Sequence, residues 1–330
     1  MVTDKSTLRW RSLATVQARL RLQGPDARRF LHGMVSNDVQ GLKPGRGCHA
    51  CLLSVKGKLI GDLAIFDLGD EGLLLSLVAA ARDGVYQALD RHLIMDNATL
   101  TDASAEVAAL QLVGDDAAQF LAAALPELSL ATIHALPRYG FATVAHANGT
   151  LRVAAMPALG AATFCVFGPS AAVEGLQGAL GAAGAAVLQP TDAEIRRVES
   201  GLPEYGRDLD EDRMPAEAGL DDAVSFSKGC YMGQEVVVRL RDRGHLNRKL
   251  CGLRFDSGSA PPVVGSKLRS ADRPQAAVLT SVVQSPRFGT IGLGYVHRAA
   301  WDVGTRLEVL GPGDEATGCW ATVCAIPFSG

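Results

Sequence analysis

The chain has no apolar run approaching the ~18 uninterrupted residues that mark a membrane-spanning helix, so a helical membrane protein is excluded. It has no basic surplus either. Its formal net charge is −3, and no global positive field draws it to nucleic acid or to an anionic membrane. A secretory h-region is missing at the N-terminus, where Asp4 is followed by alternating charged and apolar residues. Arg9, Arg11, Arg19 and Arg21 hint at a mitochondrial presequence, but Ala14 to Leu22 reads better as a strand, and the expected location is the cytoplasm. An even cysteine count is also lacking. Cys48, Cys51, Cys165, Cys230, Cys251, Cys319 and Cys324 are odd in number and scattered, which favours reduced thiols over a disulfide framework. Cys48-His49-Ala50-Cys51 has no second ligand pair at zinc spacing. Its surroundings, Cys48 to Val55, read as a buried strand, with iron–sulfur binding by the pair as the alternative.

What is present is an ordinary globular composition, 48% hydrophobic and 20% charged over 330 residues, enough for two or three domains. An internal echo organises it. Gly24-Pro25-Asp26-Ala27-Arg28-Arg29-Phe30-Leu31 returns as Gly114-Asp115-Asp116-Ala117-Ala118-Gln119-Phe120-Leu121, 90 residues later. Each copy follows a strand-like run, Val16 to Leu22 and Val107 to Val113, and opens a helix with Pro or Asp in its first turn. A looser third copy, Phe167-Gly168-Pro169-Ser170-Ala171-Ala172, also follows an apolar run. The repeat predicts two related α+β domains.

Between the copies, Leu59 to Phe66 and Gly72 to Val78 read as strands and Arg82 to Leu93 as a helix. After Cys251 the texture changes. Short strands at Cys251 to Phe255, Ala277 to Val283, Thr290 to Tyr295, Arg306 to Leu310 and Cys319 to Ala325 alternate with Gly, Pro, Ser and Asp turns. A compact all-β domain is expected there, with a boundary near residues 244–250.

The chemistry concentrates just before that boundary. Lys228-Gly229-Cys230-Tyr231-Met232-Gly233-Gln234-Glu235 places an ammonium two residues from a thiol, with glycines that let the backbone turn tightly. Lys228, and a helix starting after Cys230, would both lower the thiol's pKa from its reference near ~8.5. Gln234 and Glu235 add recognition or proton-transfer groups. Val236 to Leu240 continues as a short helix or strand. Upstream, Glu199 stands between Val198 and Leu202 and is expected to point into a partly closed space. Two readings compete for it: a partner for the paired N–H groups of a pterin- or guanidine-like edge, or a salt bridge to Arg197 or Arg207. Arg239, Arg241, Arg243, Arg248 and Lys249 form a basic run that is either a solvated charged face or a phosphate contact.

The octet, followed by Arg239 and by Gly244-His245-Leu246-Asn247-Arg248-Lys249-Leu250, resembles the motif of YgfZ-type folate-binding proteins, relatives of the glycine-cleavage T-protein (aminomethyltransferase). Gly24 to Val39 with Ser36-Asn37-Asp38-Val39, Gly57-Lys58-Leu59-Ile60-Gly61-Asp62-Leu63, Arg197-Val198-Glu199-Ser200-Gly201 with Tyr205-Gly206, Ser285-Pro286 and Gly289 to Tyr295 extend the resemblance over nearly the whole chain. It implies an α+β protein of three domains in a T-protein-like ring: residues 1–105 with 191–243, residues 106–190, and a C-terminal antiparallel β-barrel at 244–330. It further implies tetrahydrofolate, or a one-carbon derivative of it, as the cofactor.

Within that resemblance Cys230, Lys228 and Asp62 are the expected catalytic residues. Glu199, Arg197, Tyr205, Gln234, Glu235 and Arg239 are the expected cofactor contacts, and no metal is expected. The YgfZ branch implies an accessory role in iron–sulfur cluster assembly or repair, affecting radical enzymes that thiolate tRNA, with iron–sulfur proteins or their assembly factors as partners. The alternatives are a folate-dependent aminomethyl or N-methyl transferase, and a non-catalytic module that binds protein or tRNA. Two departures from the aminomethyltransferases stand out. They carry paired aspartates where Gly61-Asp62 stands, and an Asn-containing folate segment where Ala79-Ala80-Ala81 stands.

Overall fold

The structure is a computed structural model that describes residues 8–157, 159–258 and 260–329. The chain divides into two compact units. The first comprises residues 1–55, 60–189 and 222–232, and the second residues 56–59, 190–221 and 233–330.

In the first unit β1 (Arg9–Ser12) and β2 (Gln17–Gln23) lead into helix α1 (Ala27–Met34), followed by β3 (Gly47–Leu53), β4 (Leu59–Asp67) and β5 (Leu73–Val78). Helix α2 (Arg82–Asp90), β6 (Thr99–Asp102), β7 (Val107–Val113), α3 (Ala117–Ala124) and α4 (Leu130–His134) come next. The unit continues with β8 (Phe141–His146), β9 (Gly149–Ala155), β10 (Thr163–Pro169), α5 (Ser170–Ala182) and β11 (Ala186–Val187). Two sheets result, a five-stranded one in the order β3-β4-β5-β2-β6 and a six-stranded one in the order β11-β1-β7-β10-β9-β8.

The internal echo is structural. Each copy leaves its strand through a glycine at positive φ, 117° at Gly24 and 144° at Gly114, where an L side chain is strained. A Cβ at Gly24 would also sit 2.4 Å from the Asn97 carbonyl oxygen. Both helices then start alike: Phe30 N–H donates to Asp26 O at 2.8 Å, and Phe120 N–H to Asp116 O at 3.0 Å. The shared leucines Leu31 and Leu121 are fully buried. The Asp26 carboxylate accepts from the Asn97 amide rather than capping its own helix.

The second unit carries α6 (Pro190–Glu199), α7 (Gln234–Arg243) and the strands β12 (Arg248–Phe255), β13 (Lys267–Ser270), β14 (Arg273–Ser285), β15 (Gly289–His297), β16 (Arg306–Leu310) and β17 (Ala316–Cys324). These strands form a closed antiparallel barrel in the order β12-β15-β14-β13-β16-β17. Leu253, Leu268, Leu279, Val296, Leu307 and Val323 belong to one buried cluster of the barrel. Val198 of α6 joins a separate cluster with Leu250, Ile291, Leu293, Tyr295 and Phe328. The mixed α+β architecture with a C-terminal antiparallel barrel agrees with the expectation from sequence. Strand β13, only four residues long, is an addition to it. Val236 to Leu240 resolves to helix, because Gly233 at φ 79° breaks the chain direction and α7 follows at once. Among the described residues no helix is long and apolar enough to cross a membrane.

Candidate functional site

His49 is the centre of the charged site in the first unit. It lies on β3, and its ring stands between two carboxylates: Nε2 is 3.4 Å from Asp62 Oδ2 on β4, and Nδ1 is 3.4 Å from Asp222 Oδ1. The His49 side chain is only 11% exposed. Burial opposes its charge, but hydrogen bonds to Asp222 and Asp62 outweigh that and push its pKa up to about 9. Asp222 also meets Arg138 Nη2 at 3.0 Å. Its pKa lies below the ordinary carboxylate value, chiefly through the His49 hydrogen bond. Asp62 is different. Its Oδ1 is buried and makes no hydrogen bond, so one oxygen of a carboxylate beside a cation is left unmet. Tyr139 closes the group, with its ring 5.8 Å from that of His49 and its backbone held at φ 62°, a left-handed conformation rare for a residue with a side chain.

The Ser36-Asn37 pair explains how residues 222–225 reach this place. Ser36 Oγ donates to Ala223 O at 2.6 Å and accepts from Cys51 N–H at 2.8 Å. Asn37 Nδ2 donates both to His49 O and to Asp222 O. One short motif therefore ties β3 to the segment that carries Asp222. Farther along, Lys228 Nζ donates to Val35 O at 2.7 Å and to His32 O, at the C-terminal end of α1 where helix carbonyls lack partners. Burial lowers the Lys228 pKa to about 8, with the Asp38 charge opposing the shift. Cys230 is an exposed, free thiol. The helix expected to begin just after it starts only at Gln234. Cys48 and Cys51 are three residues apart on one strand and therefore project to opposite faces. Burial pushes the Cys48 thiol up to about 12, and Cys51 is fully buried. Among the described residues no group of three or more His, Cys, Asp or Glu is arranged to hold a metal.

In the second unit Glu199, the last residue of α6, accepts from Ser285 Oγ on β14 at 2.5 Å through Oε1. The salt bridge weighed for it goes elsewhere. Arg207 pairs with Glu194 and Glu204. Arg197 is buried, and all its donors have acceptors in the chain: Glu194, the Leu202 carbonyl, Asp208 and Ser281. Burial opposes the Arg197 charge, and Glu194 and Asp208 more than restore it. Asp208 accepts in addition from Thr280 and Ser281, which fastens the turn after α6 to the barrel. Arg197 thus fills a structural role in place of the ligand contact expected of it. Tyr205 is half-buried in that turn, bridged to Leu209. Gln234 opens α7, while Glu235 and Arg239 pair with each other at 2.5 Å on its exposed face, 82% and 69% accessible. Such an exposed i,i+4 pair contributes only ~0.3–0.5 kcal/mol. Within the basic run, Arg241 meets Asp242, Arg248 meets Glu217, and Lys249 lies over the Trp301 ring.

A family model described as the GCVT N-terminal domain matches residues 14–228, and the glycine cleavage T-protein C-terminal barrel domain matches residues 248–329. The chain belongs to the glycine-cleavage T-protein family. An aminomethyltransferase of Rubrobacter xylanophilus is 32% identical over 281 residues, covering 83% of this chain and 72% of that protein. One from Listeria monocytogenes is 28% identical, over 87% of this chain and 78% of the relative. A putative chloroplast transferase of Arabidopsis thaliana is 27% identical, over 94% and 69%. The crystal structure of the glycine cleavage system aminomethyltransferase T from Bartonella henselae shares the fold, with a TM-score of 0.84 over 98% of this chain and 87% of that one at 21% identity.

Of the T-protein-type residues expected from sequence, the structure places Asp62 in a charged, enclosed setting. Three of its neighbours were not among the residues expected from sequence. His49 was hidden inside the C-x-x-C run, Asp222 in a stretch without pattern, and Tyr139 in a loop whose positive φ no composition announces.

Proposed function

We propose that this T-protein family member binds tetrahydrofolate and acts in folate-dependent one-carbon transfer, with Asp62 as the group that meets the reacting amine. The observation that carries this is the buried Asp62 Oδ1, an acceptor without a donor, on a carboxylate whose other oxygen is fixed by His49. Bound tetrahydrofolate supplies ring and bridge nitrogens able to take up a one-carbon unit. His49, protonated below about pH 9, sets a positive charge beside Asp62 Oδ2 and so orients the carboxylate. The unmet oxygen then accepts an N–H of the donor or of the pterin, and holds the proton when the amine gives it up. Arg138 and His49 together neutralise Asp222, so Asp62 is the carboxylate with capacity to spare. Glu199, positioned by Ser285, offers a carboxylate suited to the paired N–H groups of a pterin edge.

Titration of the full chain with tetrahydrofolate, comparing wild type with Glu199→Ala and Asp62→Asn, tests the reading. Saturable binding weakened about tenfold or more by Glu199→Ala, with single-turnover transfer from an aminomethyl or N-methyl donor lost in Asp62→Asn, is expected. Absence of folate binding by the wild type overturns it.

The exposed Cys230 favours a second reading on the same scaffold. In it the chain is a YgfZ-type accessory factor for iron–sulfur proteins, and the thiol, beside the half-buried amine of Lys228, performs the essential contact. Replacing Cys230 with Ala should then depress cluster-dependent tRNA thiolation in cells. Undiminished thiolation removes the thiol from the function.

A further inference from the structure

A cavity of about 320 Å3 lies within the barrel unit and is lined by cations and neutral groups only. Arg213, Arg248, Arg273, Gln275, Tyr295 and His297 supply its polar wall, and Ala276 to Val278 of β14 its apolar one. The β12–β15 register sets Arg248 directly opposite His297, and Tyr295, two residues from His297, faces the same side. The Tyr295 hydroxyl donates to Asp208 O at 2.9 Å, which fixes the ring, and the Arg213 guanidinium stacks on that ring at 4.1 Å.

These groups are anchored from behind, with donors left over. Arg248 gives Nε to Glu217 and Nη2 to Asp212 O, leaving Nη1. Arg273 uses Nε on the Gln275 carbonyl. His297 Nδ1 accepts from the Ala299 amide, so the neutral ring carries its proton on Nε2 as a donor. Arg213 is the least satisfied. Its Nε is buried without a hydrogen bond, with Asp210 Oδ1 at 3.6 Å, too far to accept well. A buried guanidinium donor without an acceptor is costly unless something supplies one. None of the lining residues is acidic, and of the nearby carboxylates Glu217 pairs with Arg248 while Asp210 lies 3.6 Å from Arg213.

We propose that this cavity binds a small organic phosphate, its oxyanion held by Arg213, Arg248 and Arg273 and by His297 Nε2, and its organic part against Ala276 to Val278. Three guanidinium groups and a fourth N–H donor outnumber what the two oxygens of one carboxylate accept, and suit a phosphate monoester dianion. The volume sits at the low end for ligand cavities, which limits the organic part to a few heavy atoms.

The site shares no residue with the Asp62 group and is tested without folate. Calorimetric titration of the full chain with glycerol phosphate and with inorganic phosphate, at constant ionic strength, should show saturable one-to-one binding. Succinate should bind at least about tenfold more weakly. Arg213→Gln and, independently, the exposed Arg273→Gln should each weaken phosphate binding by about tenfold or more. Circular dichroism checks that both variants remain folded. No saturable binding of either phosphate, equal binding of succinate, or binding untouched in the folded Arg273→Gln protein overturns the proposal.

Discussion

His49 carries a pH dependence whose direction follows from its neighbours. Its pKa rises from ~6.5 in an unfolded chain to about 9 when folded, because Asp222 and Asp62 outweigh the burial that opposes its charge. A raised pKa means that the folded state holds the proton more tightly. The stabilisation is complete below the unfolded pKa and is lost as pH climbs toward 9. Lys228, lowered to about 8 by burial, acts with the opposite sign, but only as pH rises from about 8 toward ~10.5. The window from pH ~6.5 to about 8 therefore belongs to His49. Urea unfolding across that window should show wild-type stability falling with pH, and His49→Gln should flatten the fall. An unchanged slope in the variant would show that the two carboxylates do not act on this ring. At the same scale, Lys228 was expected beside Cys230 as a tuning charge. Its hydrogen bonds, though, go to the carbonyls ending α1, a use that local sequence does not disclose.

Strand β4 and helix α2 account for the departure at Gly61. Adjacent strand residues face opposite sides, so Asp62 turns toward His49 while Gly61 turns toward α2. A Cβ at Gly61 would stand 2.6 Å from Val85 Cγ2, and Val85 is fully buried. The missing first aspartate is thus matched by a helix packed directly on the strand. Gly61→Ala should cost ~1–3 kcal/mol through overpacking, read as a lowered melting temperature, and adding Val85→Ala should recover part of it. A Gly61→Ala protein as stable as wild type would mean that α2 yields freely. Element identity itself was largely legible, since β4, β5, α2 and the barrel strands other than β13 follow from apolar alternation and turn residues. The ends shifted by a few residues, as at α2, which stops at Asp90 rather than Leu93.

Across the whole molecule, the repeated strand–glycine–helix unit and the change of texture after residue 250 sufficed to read an α+β chain with a terminal barrel, because both depend on local periodicity and on glycines at positive φ. The octet, Asp62 and Glu199 were visible as residue types in unusual company. What each does depends on partners far away in sequence. Ser285 lies 86 positions from Glu199, and Asp222 lies 173 from His49. Arg197 looked like a ligand contact until Asp208 and Ser281 filled its donors. Sequence alone determined much of the element pattern, the family resemblance and part of the roster of candidate residues, since these rest on short-range pattern. Tertiary structure decided which carboxylate keeps a free oxygen and which cations are already satisfied, because burial and hydrogen-bond partnership exist only once distant segments meet.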